Sequence, residues 1–214
     1  MATDDAIFEK AAAQGQTFFV ATGDSDYDAE CTSGADKGKG QSYPAVSPYV
    51  TAVSGTTLKV TSSGTYSSET VWNTTANKEG TGGGPSVYET EPSWQKPVTA
   101  ITGGKRGVGD WAFDADPETG AIIYTSSTKT AQVGGTSLAT PLATGTWARA
   151  QTASGNTLGF AAPLIYTLAE GSKYSSTFHD VTSGNNSGET AAKGWDYCTG
   201  WGSANIDAFV TAIK

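Results

Sequence analysis

The chain has 214 residues, enough for one well-packed domain and short for two. Charged residues make up only 16% and apolar ones 37%, a Gly-, Ser- and Thr-rich balance common in secreted α/β and all-β proteins; aromatic residues at 10%, six of them Trp, exclude a disordered profile. The net charge of −8 comes without a basic stripe, which excludes a nucleic-acid groove and disfavours anionic membrane surfaces. That acidity suits a protein working in acid, or is ordinary surface charge for solubility.

No apolar run approaches the ~20 residues needed to span a bilayer. Met1 leads directly into Asp4-Asp5 with no signal peptide, so either the protein is intracellular or the chain begins after its targeting segment. Cys31 and Cys198 allow one disulfide or two free thiols, and the single His179 cannot complete a zinc site with them.

In chain order, residues 4–14 read as a helix, capped by Asp4 or Asp5, with Ile7, Phe8, Ala11 and Ala12 on one face. Gly15 closes it, and Thr17–Thr22 follow as a short buried strand, the order expected of a parallel α/β sheet. Residues 23–44 read as a long loop. Val50–Val53 and Thr57–Val60 read as two strands, 61–95 as turn-rich with short strands at most, and Trp111–Phe113, Ala121–Tyr124 and Thr130–Val133 as strands. Ser137–Gln151 reads as a helix with Pro141 in its first turn; Pro163–Glu170 and Asn205–Ile213 are shorter helices. With no repeat and no composition break, residues 1–214 are one domain. Asn73-Thr74-Thr75 and Asn185-Asn186-Ser187 are glycosylation sequons of the kind that arise by chance.

Val133-Gly-Gly-Thr-Ser-Leu-Ala-Thr-Pro sets two glycines and a hydroxyl where a strand meets a helix. A Ser at a helix N-terminus sits beside free N–H groups and the positive end of the dipole, which can hold an oxyanion; an ordinary N-cap has the same look. The string Gly-Thr-Ser-x-Ala-x-Pro is the serine motif of subtilisin-like and sedolisin-like peptidases. A subtilisin-type enzyme needs a His upstream of its Ser, and the only His lies downstream at His179, read as a surface or loop residue. If Ser137 is activated, a carboxylate must therefore do it. Phe18-Phe19-Val20-Ala21-Thr22-Gly23-Asp24-Ser25 resembles the sedolisin strand and loop that delivers the oxyanion-hole carboxyl, here Asp24. An Asp donates a hydrogen bond only when protonated, which is the chemical sense of a serine peptidase that works in acid.

Other segments match in the same order. Tyr43–Thr56 resembles the family's Pro-Ala-Ser-Ser-Pro and Gly-Gly-Thr stretch, with Ser54 for a usual Gly. Gly82-Gly83-Gly84 followed by Pro92-Ser93-Trp94-Gln95 resembles a substrate-edge segment, where bare backbone could pair with an extended peptide; a flexible loop is the alternative. Arg106–Asp110 resembles Arg-x-x-Pro-Asp, with Gly109 for Pro, and Asp114–Pro117 continue the match. His179–Asn186 and Ala192–Asp196 are similar to the family's calcium loop. The resemblance implies Ca2+ on Asp180 and Asp196, with carbonyls of Val181, Ala192 and Gly194. Thr199-Gly200-Trp201-Gly202-Ser203 resembles the closing segment of the pseudomonalisin and xanthomonalisin branch.

The resemblance implies the C-terminal part of a subtilisin-like α/β catalytic domain, a parallel sheet flanked by helices without its N-terminal part. Sedolisins draw their base Glu and a supporting Asp from an upstream Glu-x-x-x-Asp helix, and no Asp lies four residues after Glu9. The expectation is a secreted, acid-active serine-carboxyl endopeptidase of polypeptides whose base comes from elsewhere, as a separate N-terminal chain or an omitted segment. Two alternatives stand beside it: a non-catalytic, calcium-stabilised module, and a secreted β-rich binding domain carrying the motif by chance. A sheet lacking strands also predicts poor solubility or a bound partner for the isolated chain.

Overall fold

The computed structural model describes residues 2–27, 40–74 and 79–214. Cys31, most of the expected 23–44 loop and Thr75 of the first sequon lie outside them.

Helix α1 (Ala2–Ala13) carries Asp4 and Asp5 in its first turn, where the dipole favours them, and Gly15 at φ 77° redirects the chain into β1 (Phe19–Ala21). The two strands expected at 50–53 and 57–60 are one ten-residue strand, β2 (Thr51–Val60). Gly55 does not interrupt it. A Cβ there would stand 2.5 Å from the Cβ of Ala115, so the glycine is the space into which a neighbour packs.

Among its described residues, the segment expected to be turn-rich holds four strands: β3 (Tyr66–Val71), β4 (Asn73–Thr74), β5 (Glu79–Gly80) and β6 (Gly84–Thr90). β3 folds back on β2 from Thr56↔Val71 to Val60↔Tyr66, so its Ser- and Thr-rich sequence is that of an exposed hairpin arm rather than of turns. A 3-10 turn (Ser93–Val98) and α2 (Thr99–Thr102) separate β6 from its antiparallel partner β7 (Lys105–Val108). Then come β8 (Trp111–Asp114), the hairpin β9 (Ala121–Ser126) and β10 (Lys129–Val133), and the long helix α3 (Thr136–Ala153). The chain closes with α4 (Ala161–Ala169), α5 (Tyr174–Thr177), β11 (Phe178–His179), β12 (Ser203–Ala204) and α6 (Ile206–Ala212).

The main sheet runs β1-β2-β8-β12-β11. The pairs β1–β2, β2–β8 and β8–β12 are parallel, while β3 and β11 join antiparallel. This is the expected parallel sheet flanked by helices. α3 lays Ala139, Ala143, Trp147 and Ala150, spaced by three or four residues, onto it. Fully buried Trp111 lies against Phe19, Phe113 and Phe209. Nearby, Arg106 has no exposed surface and forms a two-pronged pair with Asp110 at 2.8 and 2.6 Å. Asp110 also accepts the Ala52 N–H and the Tyr166 hydroxyl, so the β7–β8 corner is fixed to β2 and α4. Between them Gly109 has φ 109°, which a proline could not adopt, so this corner differs from one built on Pro.

His179 is a strand residue, not a loop one. Its ring stacks on Tyr66 at 3.7 Å, and burial lowers its pKa. Beside it, Glu69 on β3 accepts hydrogen bonds from Thr56 of β2 at 2.7 Å and from Ser203 of β12. Burial pushes the Glu69 pKa up and the charge of Asp114 adds to this, against the two hydroxyls, which lower it. Burial raises Asp114 too. A carboxyl whose folded pKa exceeds its unfolded one contributes stability that is fully present below the unfolded value and lost as pH rises through the folded one. Melting temperatures of the wild type and Glu69→Gln should therefore converge near pH ~3 and separate near pH ~7, with the variant the more stable. A wild-type advantage that grows with pH would contradict this.

Candidate active site

The Ser137 turn is assembled from two distant pieces of chain. β10 ends at Val133, two glycines follow, and α3 starts at Thr136, which leaves Ser137 exposed in its first turn, where N–H groups lack intrahelical partners. The helix has no side-chain cap from its own N-cap residue, Gly135. Asp24, 112 residues away, supplies one: its Oδ1 accepts the Thr136 N–H at 2.7 Å and the Thr136 hydroxyl at 2.6 Å. The Gly23 N–H in turn donates to Thr136 Oγ1 at 3.2 Å. Gly135 is required twice over, by its φ of 84° and because a Cβ there would stand 2.8 Å from Asp24 Oδ2. With both Thr136 bonds on Oδ1, no described residue hydrogen-bonds to Asp24 Oδ2.

The structure thus brings together the two residues that the sequence assigns to nucleophile and oxyanion. It adds Thr136, whose signal was its place inside the Gly-Thr-Ser string. Pro141 is the sixth residue of α3, not a first-turn residue. It removes the N–H that would otherwise bond the Ser137 carbonyl, while the Thr140 hydroxyl donates to the Thr136 carbonyl at 2.8 Å.

The Asp24 loop is braced from behind. Gly80 and Gly82 donate their N–H groups to the carbonyls of Asp24 and Gly23 at 3.0 and 2.9 Å. The hydroxyls of Thr22 and Thr81 meet at 3.2 Å. Gly82, Gly83 and Gly84 are buried, and their missing side chains make room for neighbouring backbone: a Cβ on Gly82 would stand 2.2 Å from the Thr22 carbonyl oxygen, and one on Gly83 2.0 Å from that of Tyr197. Their backbone groups are occupied within the chain. Gly82 bonds Gly23, the Gly83 N–H bonds Gln41, and Gly84 pairs with Val108.

In the 180–196 loop, Asp180 accepts the Gly194 N–H through both oxygens at 3.1 Å. Buried Asp196 accepts N–H groups of Ala192, Cys198 and Thr199 at 2.8–2.9 Å. Desolvation raises the Asp196 pKa to about 6 against the lowering effect of those bonds. Both carboxylates act on Tyr174, whose pKa is raised first by its own burial. Among the described residues no cluster of three or more His, Cys, Asp or Glu could hold a metal. Carboxylates are the donor type that an oxygen-seeking cation takes, and this loop carries two. Cys198 is buried, and burial raises its thiol pKa. Among the described residues no helix is long and apolar enough to cross a membrane.

No protein-family model matches the chain. Sedolisin of Pseudomonas sp. (strain 101) is 49% identical over 222 residues, covering 99% of this chain and 37% of its own length. Xanthomonalisin of Xanthomonas sp. (strain T-22) is 44% identical over 238 residues, covering 96% and 28%. Kumamolisin of Bacillus sp. (strain MN-32) is 40% identical over 209 residues, covering 92% and 36%. The chain therefore spans well under half the length of these curated relatives. The solved structure of Pseudomonas sedolisin, a serine-carboxyl proteinase complexed with two molecules of pseudo-iodotyrostatin, superimposes with a TM-score of 0.88 at 47% identity, over 98% of this chain and 58% of that one. Sphericase, at 20% identity and a TM-score of 0.57, shares the fold alone. Over nearly its whole length the chain is homologous to sedolisin and xanthomonalisin, and it corresponds to a part of such a protein.

Proposed function

We propose that this chain carries the nucleophile and the oxyanion site of an acid-active serine-carboxyl endopeptidase, and that a carboxylate base from outside these 214 residues completes it. The observation that carries the reading is the Asp24 carboxyl seated on the N-terminus of the helix that presents Ser137. The base takes the Ser137 proton, and Oγ attacks the scissile carbonyl carbon of a polypeptide. The developing oxyanion meets the Ser137 N–H and a proton on Asp24 Oδ2. The intermediate collapses as the base returns its proton to the leaving amine, and water then releases the acyl group from Ser137. Asp24 can donate only when protonated, so activity belongs to acid solution. Gly82, Gly83 and Gly84 serve by setting the Asp24 loop, since their backbone groups are already engaged. The same reading makes the protein a secreted one.

We also propose Ca2+ as the occupant of the 180–196 loop. Asp180 and Asp196 would hold it, with carbonyls from Val181, Ala192 and Gly194. The ion would fix the loop and take no part in the chemistry.

In the peptidase-competent protein assayed on an unfolded protein at pH ~4, Ser137→Ala should abolish cleavage. Asp24→Ala should lower kcat by about 10²–10³-fold with KM little changed. Cleavage that survives Ser137→Ala would refute the nucleophile. Cleavage by the 214-residue chain alone would refute the external base. Inactivity in every form would favour the non-catalytic module.

Chelation of divalent cations should lower the melting temperature, and Ca2+ should restore it; Asp180→Ala should be insensitive to both. A wild-type melt indifferent to chelator would exclude the ion.

A further inference from the structure

Two side-chain amides that the mechanism does not use close a ring of hydrogen bonds behind the Asp24 loop. The Gly83 N–H donates to Gln41 Oε1 at 2.7 Å, and Gln41 Nε2 donates to the Tyr27 carbonyl at 3.3 Å. From the other side, Asn186 Nδ2 donates to the Gly83 carbonyl at 2.9 Å, and the Tyr27 N–H donates to the backbone carbonyl of Asn186 at 2.8 Å. Both backbone polar groups of Gly83 and both of Tyr27 are held by the same two residues. Asn186 has no exposed surface. Its Oδ1 accepts the Glu189 N–H at 2.8 Å, which fixes the amide with its nitrogen toward Gly83. The ring is also packed shut: a Cβ on Gly188 would stand 2.0 Å from the Tyr27 ring, and one on Gly84 2.6 Å from Gln41 Nε2.

The ring reaches the site in short steps. Gly82, next to Gly83, donates to the Gly23 carbonyl at 2.9 Å, and Asp24 follows, bonded to Thr136. Tyr27 lies three residues beyond Asp24 on the same loop. The Asp24 loop is thus held at one end by the helix of Ser137 and at the other by the Gln41 amide and the Asn186 backbone carbonyl.

We propose that Gln41 and Asn186 form a two-amide clamp that positions Asp24 against the helix of Ser137, so that the 184–189 loop helps to set the oxyanion site. The inference rests on the peptidase reading for its functional consequence. Gln41 and Asn186 touch no reacting atom and are positioning residues. Displacing a catalytic group by about 1 Å can cost about 10²-fold in rate, so a clamp of this kind should register in kcat.

Two experiments test it. By hydrogen exchange on this chain, Asn186→Asp, which keeps the shape but turns an oxygen toward the Gly83 carbonyl, should speed exchange about tenfold in segments 22–27 and 79–84. Gln41→Ala, which trims a half-buried side chain, should do the same, while α3 keeps its protection. Unchanged exchange in those segments, or a uniform rise throughout the chain, would overturn the clamp. In the peptidase-competent protein, each variant should lower kcat about tenfold with KM within about twofold, and the double variant should fall no further than the more severe single one. The core variant Phe209→Leu should lower the melting temperature and leave kcat unchanged. Wild-type kcat in Gln41→Ala would overturn the positioning role. Activity surviving in Ser137→Ala would instead remove the peptidase reading, leaving the exchange result to decide whether the clamp holds the loop.

Discussion

The contact between the Asp24 carboxyl and the first turn of α3 is the constraint on which the site depends. A helix that begins at a glycine has no side-chain cap of its own, and its first N–H groups need an acceptor. The acceptor arrives from the loop after β1, 112 residues earlier in the chain. One carboxyl oxygen does the structural work of a cap. The other is left beside Gly135, two residues before the exposed Ser137. On the peptidase reading, stability and chemistry meet in this one side chain, which Thr136 ties to the helix.

Much of the surrounding sequence follows from the need to bring backbone so close. Gly135, Gly82 and Gly83 each lie where a single added carbon would strike a neighbour: the Asp24 carboxyl, the Thr22 carbonyl and the Tyr197 carbonyl. The glycines are therefore not slack in the chain but the means by which the Asp24 loop, the 80–84 segment and the C-terminal loop close on one another. The parallel sheet supplies the rigid frame. β1 delivers Asp24 from its C-terminal end, and α3 packs its small residues against the same sheet.

The sequence was informative where a motif encodes close backbone approach. Gly-Thr-Ser before a helix and Gly-Asp after a strand both mark turns that few residues can make, and the structure brings Ser137 and Asp24 to one place. It was less informative where side-chain pattern is ambiguous. β3 has Ser, Glu and Thr where a buried strand would have Val or Ile, because it is an exposed hairpin arm, and so it read as turn. Val50–Val53 and Thr57–Val60 read as two strands in what is one continuous strand, in which Ala115 fills the space left by Gly55. Gln41 and Asn186 had no signal at all. Amides far apart in sequence form no motif, and their pairing exists only once Gly83 and Tyr27 lie between them.

The most direct measurement is a crystal structure of the peptidase-competent protein with a peptide aldehyde. The account predicts a hemiacetal on Ser137 Oγ whose oxygen lies about 2.7–3.1 Å from Asp24 Oδ2 and from the Ser137 N–H. An adduct oxygen directed away from Asp24, or an aldehyde bound with Ser137 unmodified, would contradict it.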